Sequence, residues 1–183
     1  NIAEDDELIA VRMTNGNQEV FIATRNGMAV RFKETDVRPM GRFVCGVRGI
    51  NLADDDEVIG MQAIRPVSTI LTVCENGYGK RTKAEEYRLT KRGGKGVINI
   101  RTSDRNGKVI AVLSVIESDE LILMSEKGLI IRSSVSEMRI ISRATQGVRL
   151  IDLSKDDSLT SVARIEEDKE VDDNGQTIVS QND

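Results

Sequence analysis

The apolar positions of this chain fall into short runs of strand length rather than into helical stripes. Val20-Phe-Ile-Ala-Thr, Ile70-Leu-Thr-Val-Cys and Leu121-Ile-Leu-Met-Ser are nearly continuous apolar segments, the pattern of a central strand covered on both faces. Each is followed by a turn dipeptide, Asn26-Gly27, Asn76-Gly77 or Lys127-Gly128, in which Gly and Asn tolerate positive φ. Beyond the turn the pattern alternates: Met28, Val30 and Phe32 on one face, Arg31 and Lys33 on the other, the period of a half-buried strand. A third strand is expected around Val47-Arg-Gly-Ile, Val97-Ile-Asn-Ile and Val148-Arg-Leu-Ile. A fourth is expected at Val58-Ile-Gly-Met, Val109-Ile-Ala-Val and Leu159-Thr-Ser-Val.

These runs are copies of one unit. The turn glycines are spaced by 50 and 51 residues, and each is followed 19 positions later by another glycine: Gly46, Gly96 and Gly147. Counting from the turn glycine as zero, arginine occupies +4 (Arg31, Arg81, Arg132), +11 (Arg38, Arg88, Arg139) and +15 (Arg42, Arg92, Arg143) in every unit. Position +9 is always acidic (Asp36, Glu86, Glu137) and +20 always valine. Four short strands per unit of about fifty residues predict an all-β, propeller-like array of four-stranded blades, each burying its faces against the next. The expected organisation is a closing strand of a preceding blade in residues 1–13, blades at 14–64, 65–116 and 117–165, and a disordered acidic tail at 166–183. Three blades are too few to close, so the array is expected to be open, with further blades upstream.

Composition narrows the chemistry. The 183 residues include no His, no Trp, two Cys, two Tyr and three Phe, so histidine acid–base catalysis is excluded and the core must be aliphatic. Cys45 and Cys74 form no CxxC pair and read as buried, reduced thiols of a cytosolic protein. No apolar stretch approaches the ~18 residues that span a bilayer. Asp54-Asp-Asp-Glu lacks the alternating ligands and glycine of a calcium loop and reads as a solvated acidic turn. Tyr78 and Tyr87 have no activating base beside them and read as packing residues. Neither a catalytic nor a metal site is expected.

Charge is unevenly placed. The net charge is −4, but residues 166–183 hold seven acids against Lys169, which leaves +2 in residues 1–165. The segments 25–50, 75–100 and 126–151 together carry +11, whereas acids gather in Glu4-Asp-Asp-Glu, Asp54-Asp-Asp-Glu and Asp156-Asp at equivalent places. A propeller sets equivalent residues side by side, so the arginines should form a curved basic track suited to the phosphates of duplex DNA, bound by charge and without sequence preference. Candidate contacts are Arg31, Lys33, Arg38, Arg42, Arg48, Lys80, Arg81, Lys83, Arg88, Lys91, Arg92, Lys95, Arg132, Arg139, Arg143 and Arg149. Few aromatics are present for base stacking, which disfavours a single-strand platform. The loop Thr90-Lys-Arg-Gly-Gly-Lys-Gly96 is neither a Walker loop nor a dinucleotide fingerprint; it presents backbone amides with Lys91, Arg92 and Lys95. The competing reading of each arginine is a solvated face or a partner of the acidic +9 residue. The tail would compete with DNA for the basic track.

Arg25-Asn-Gly-Met-Ala-Val-Arg-Phe-Lys-Glu, Gly46-Val-Arg-Gly-Ile, Glu75-Asn-Gly-Tyr-Gly-Lys-Arg-Thr and Thr145-Gln-Gly-Val-Arg-Leu-Ile resemble the C-terminal domain of the bacterial DNA gyrase A protein over residues 7–165. The resemblance implies a β-pinwheel, in which neighbouring blades exchange strands and duplex DNA wraps around a basic outer rim. It also implies a place in a cytoplasmic, nucleoid-associated, ATP-dependent type II topoisomerase that supercoils negatively, with the gyrase B protein as partner and with ATP and Mg used at other domains. Residues 91–96 fit the last six positions of the family's gyrase A box, with Thr90 in place of its glutamine, and read as a degenerate copy. Two alternatives stand beside this: the corresponding domain of topoisomerase IV, and a propeller serving as a protein-interaction scaffold.

Overall fold

The computed structural model describes residues 2–4 and 6–165. Eleven strands follow in order: β1 (Glu19–Thr24), β2 (Met28–Lys33), β3 (Val58–Ala63), β4 (Thr69–Cys74), β5 (Tyr78–Lys83), β6 (Val97–Ile98), β7 (Val109–Val115), β8 (Glu120–Ser125), β9 (Ile130–Ser134), β10 (Val148–Arg149) and β11 (Leu159–Ile165). A single 3-10 turn follows β2, β5 and β9. The fold is all-β, as the apolar runs and turn glycines require.

The sheets are not built from one unit each. Their orders are β3-β1-β2-β6, β10-β5-β4-β7 and β11-β8-β9. β6 belongs by sequence to the second unit but pairs with β2 of the first, Met28 opposite Ile98 and Ala29 opposite Val97. β10 of the third unit likewise pairs with β5 of the second. Each unit therefore donates its third strand to the unit before it, the strand exchange that the family resemblance implied. The first unit's own copy, Val47-Arg-Gly-Ile, meets no such acceptor and forms no strand, and the third sheet has three strands instead of the four expected. Of residues 1–13, expected to hold a closing strand, the described ones form no strand.

Glycine permits this exchange. Gly27 (φ +86°) lies under the donated segment, where a Cβ would stand 2.2 Å from the Ile100 carbonyl oxygen. Gly96 (φ +77°), just before β6, would press a Cβ to 2.3 Å from the Ala29 carbonyl oxygen. At Gly128, which receives no donated strand, a Cβ would meet nothing within 4 Å. The turn glycine's carbonyl also accepts the N–H groups of the incoming strand: Asn99 and Ile100 bond to Gly27, Leu150 and Ile151 to Gly77.

The core lies between successive units. Phe21, Ala23 and Ala29 pack on Ile70, Ala84, Tyr87 and Val112. Leu71 and Val73 pack on Leu121, Leu123, Val135, Met138 and Ile151. Alternate residues of one central strand thus face opposite neighbours. β7 packs against both β3 and β11, which places the fourth strands on the inner side and the donated β6 and β10 on the outer edge.

Candidate nucleic-acid interface

The three recurring arginines do three different jobs. At +4 the side chain crosses to the following unit. Arg31 pairs with Glu19 and donates from Nη1 to the carbonyls of Ala84 (2.6 Å) and Tyr87 (3.0 Å). Arg81, 1% exposed, donates to the Val135 carbonyl (2.6 Å) and pairs with Glu117 (2.6 Å). Arg132 has no following unit among the described residues; it pairs with Glu120 and stays exposed. The expectation that Arg31 and Arg81 lie on the rim is therefore corrected: β2 and β5 are covered on both faces, and these guanidinium groups staple one unit to the next.

At +15 the guanidinium reaches back. Arg92 donates to the carbonyls of Asp36 and Arg48, both at 3.1 Å, and Arg143 to that of Ile98 at 3.1 Å. Each remains half-buried, while Arg42 is exposed. Only the +11 residues leave their charge wholly to solvent in every unit: Arg38, Arg88 and Arg139 are exposed and have neither an ion pair nor a hydrogen bond among the described residues. The acidic +9 residues form no ion pair there either; Glu86 instead accepts the backbone N–H of Arg143 at 3.1 Å.

Lys80 is the second correction. It occupies +3, where the other units have Val30 and Ile131, and it is fully buried. Its Nζ donates to Thr82 Oγ1 (2.7 Å) and the Ser142 carbonyl (3.2 Å). Burial pulls its pKa down from 10.5 to about 8, partly opposed by Glu86. In the unfolded chain the group holds its proton to higher pH, so folding stability should rise from about pH 8 to about pH 10.5. At ~1.4 kcal/mol per pKa unit, wild type should gain about 3 kcal/mol relative to Lys80→Met over that window. Urea denaturation of both proteins across pH measures this; a pH-independent difference would contradict it.

Lys33, Arg48, Lys83, Lys91, Lys95 and Arg149 are exposed. The glycine-rich loop seats against the unit before it, with Gly93 N–H on the Gly49 carbonyl (2.6 Å) and Asn51 N–H on that of Gly94 (2.9 Å). Its left-handed residue Gly93 has counterparts at +16 in Phe43 (φ 64°) and Ala144 (φ 60°), so this is the shared turn of all three units with two added lysines. Thr90 uses its N–H on the Arg31 carbonyl (2.9 Å).

The acidic turns fasten the hairpin tips. Asp56 and Asp157 accept the N–H groups of Asn26 (2.8 Å) and Lys127 (3.1 Å). Cys74 is buried, and burial pushes its thiol up to about 12; Cys45, expected to be buried, is exposed, with no unit packed over its segment among the described residues. Tyr87 packs edge-on against Phe21, as expected, and its hydroxyl donates to Asn99 Oδ1 (2.6 Å). Tyr78 does more than pack. Arg105 and Arg149 both lie over its ring, at 4.8 and 5.6 Å from the centroid. Sequence reading overlooked Arg105, whose signal is a reversal of charge within the repeat: the residue at +28 is Asp55 in the first unit and Asp156 in the third. The expected competition from the tail falls on residues 166–183, outside the described residues. No helix among the described residues is long and apolar enough to cross a membrane.

The family model for the DNA gyrase C-terminal domain, a beta-propeller, matches residues 18–65, 68–116 and 119–166. The DNA gyrase A protein of Clostridium acetobutylicum is 49% identical over 168 residues, covering 92% of this chain and 20% of the relative. That of Staphylococcus aureus is 43% identical over 169 residues, covering 91% and 19%. The chain thus spans about a fifth of the relatives' length. Among solved structures, a DNA gyrase A C-terminal domain superposes with TM-score 0.84 at 26% identity, covering 91% of this chain and 57% of that one. A C-terminal domain of DNA topoisomerase IV gives TM-score 0.85 at 28% identity, covering 91% and 52%.

Proposed function

Because this chain belongs to the DNA gyrase C-terminal domain family, we propose that it binds duplex DNA along the outer edge of its sheets, without sequence preference, as the wrapping portion of a gyrase A protein. The observation that carries this reading is the unpartnered guanidinium at +11 in all three units. An exposed charge that stabilises nothing in its own fold is available to a phosphate. Arg42, Lys83, Lys91, Lys95 and Arg149 are exposed as well and could add to the contact, whereas Arg31, Lys80 and Arg81 are held within the fold.

In this reading the domain contributes DNA binding and curvature to a cytoplasmic ATP-dependent type II topoisomerase. Strand passage, ATP, Mg and the contact with the gyrase B protein belong to other parts of the assembly. Topoisomerase IV is the second reading, favoured by a superposition as good as that on the gyrase domain. The identities of 49% and 43% to gyrase A proteins favour the first. A protein-interaction scaffold would leave duplex affinity independent of the exposed arginines. The test is duplex binding across a salt series: unrelated sequences should bind alike, with log K falling linearly against log salt.

A further inference from the structure

At position +28 of the repeat's acidic band the second unit alone carries a basic residue. The frame is fixed at +29, where the Asp56 and Asp157 carboxylates and the Asn106 carbonyl each accept the N–H of their own hairpin tip. One position earlier stand Asp55, Arg105 and Asp156. Arg105 turns onto Tyr78, the first residue of β5, and Arg149 arrives on the other unit's β10, the outermost strand, directly opposite Tyr78 in the ladder.

The Tyr78 ring thus gathers two cations from different segments at one place. Each cation–π contact at an exposed site contributes about 0.5–1 kcal/mol. Arg105 has no ion pair among the described residues, and the Arg149–Asp152 pair (2.7 Å) is exposed on both sides, so it is weak and open to replacement. Arg149 Nη2 donates to Tyr78 Oη at 3.2 Å, while the phenol hydrogen has no acceptor among the described residues. The hydrogen bond from Arg149 and the neighbouring Arg105 cation also lower the Tyr78 pKa, which makes its hydroxyl a better donor.

We propose that Tyr78, Arg105 and Arg149 form a clamp for one backbone phosphate of duplex DNA at the junction of the second and third units. The two guanidinium groups supply the charge and the phenol a third donor, and the tyrosine ring holds both arginines in place. The clamp rests on the duplex-binding reading and adds to it a contact set across two units.

Fluorescence-anisotropy titration of a labelled random-sequence duplex with the 183-residue chain, over a sodium chloride series, tests it. Arg105→Ala with Arg149→Ala, which leaves the phosphate without a cation, should lower the magnitude of the log K against log salt slope by about 0.9, and Arg105→Ala alone should lower it by less. Tyr78→Leu should match Arg105→Ala, and Tyr78→Phe should lie between it and wild type. Melting temperatures should fall by no more than a few degrees for the arginine variants, as the loss of exposed cation–π contacts requires. An unchanged slope in the double arginine variant, or a silent Tyr78→Leu, overturns the clamp while salt-dependent wild-type binding keeps the duplex reading. Absence of salt-dependent binding by wild type overturns both.

Discussion

Alanine at Gly27 or Gly96 should destabilise the domain by about 3 kcal/mol or more, whereas alanine at Gly128 should cost about 1 kcal/mol. All three adopt positive φ, at +86°, +77° and +86°, so each substitution carries a backbone penalty of roughly 1–2 kcal/mol for an L-residue. Only Gly27 and Gly96 add a collision. Their Cβ atoms would sit 2.2 and 2.3 Å from carbonyl oxygens of the neighbouring unit, and backbone cannot rotate aside as a side chain can. The donated strand must shift, and with it the bonds from Asn99 and Ile100 to the Gly27 carbonyl. Urea denaturation of the three variants separates the two terms. Equal losses at all three positions would mean that strand exchange is not what the glycines serve.

Arg81→Ala should cost about 2–4 kcal/mol, and Arg132→Ala less than about 1 kcal/mol. Both occupy +4. Arg81 is buried against the third unit, so its removal leaves a cavity and strips the Val135 carbonyl of a charged donor. Arg132 faces water beside Glu120, and an exposed pair contributes little. Urea midpoints give the comparison. Similar small losses for both would show that the staple contributes nothing.

Much of the architecture is legible in the chain because it is written three times. The hairpins follow from Val20–Thr24, Ile70–Cys74 and Leu121–Ser125 with their turn glycines, and each forms in the expected place. Strand exchange is not legible from the pattern, because alternation fixes which face a side chain takes and not whose edge a strand joins. Val97 and Val148 read identically whether they complete their own sheet or the one before. The same gap misassigns the +4 arginines: an arginine on an alternating strand looks solvated until the next unit is laid over it. Lys80 carried a usable signal, since Val30 and Ile131 at its position mark a core site. Arg105 carried another in its exchange for Asp55 and Asp156. Nothing in the sequence distinguishes +11 from +15; the backbone carbonyls of Arg48 and Ile98, brought within reach by the turn at +16, decide it.

The salt dependence of duplex binding by the triple variant Arg38→Ala, Arg88→Ala and Arg139→Ala bears most directly on the proposed function. Each lost phosphate contact should reduce the slope by about 0.9, so the variant should lose roughly 2.7 for every duplex sequence alike. Its melting temperature should match wild type, because these side chains bond to nothing among the described residues. Wild-type affinity and slope in the triple variant would contradict a phosphate-contacting rim and favour the interaction scaffold.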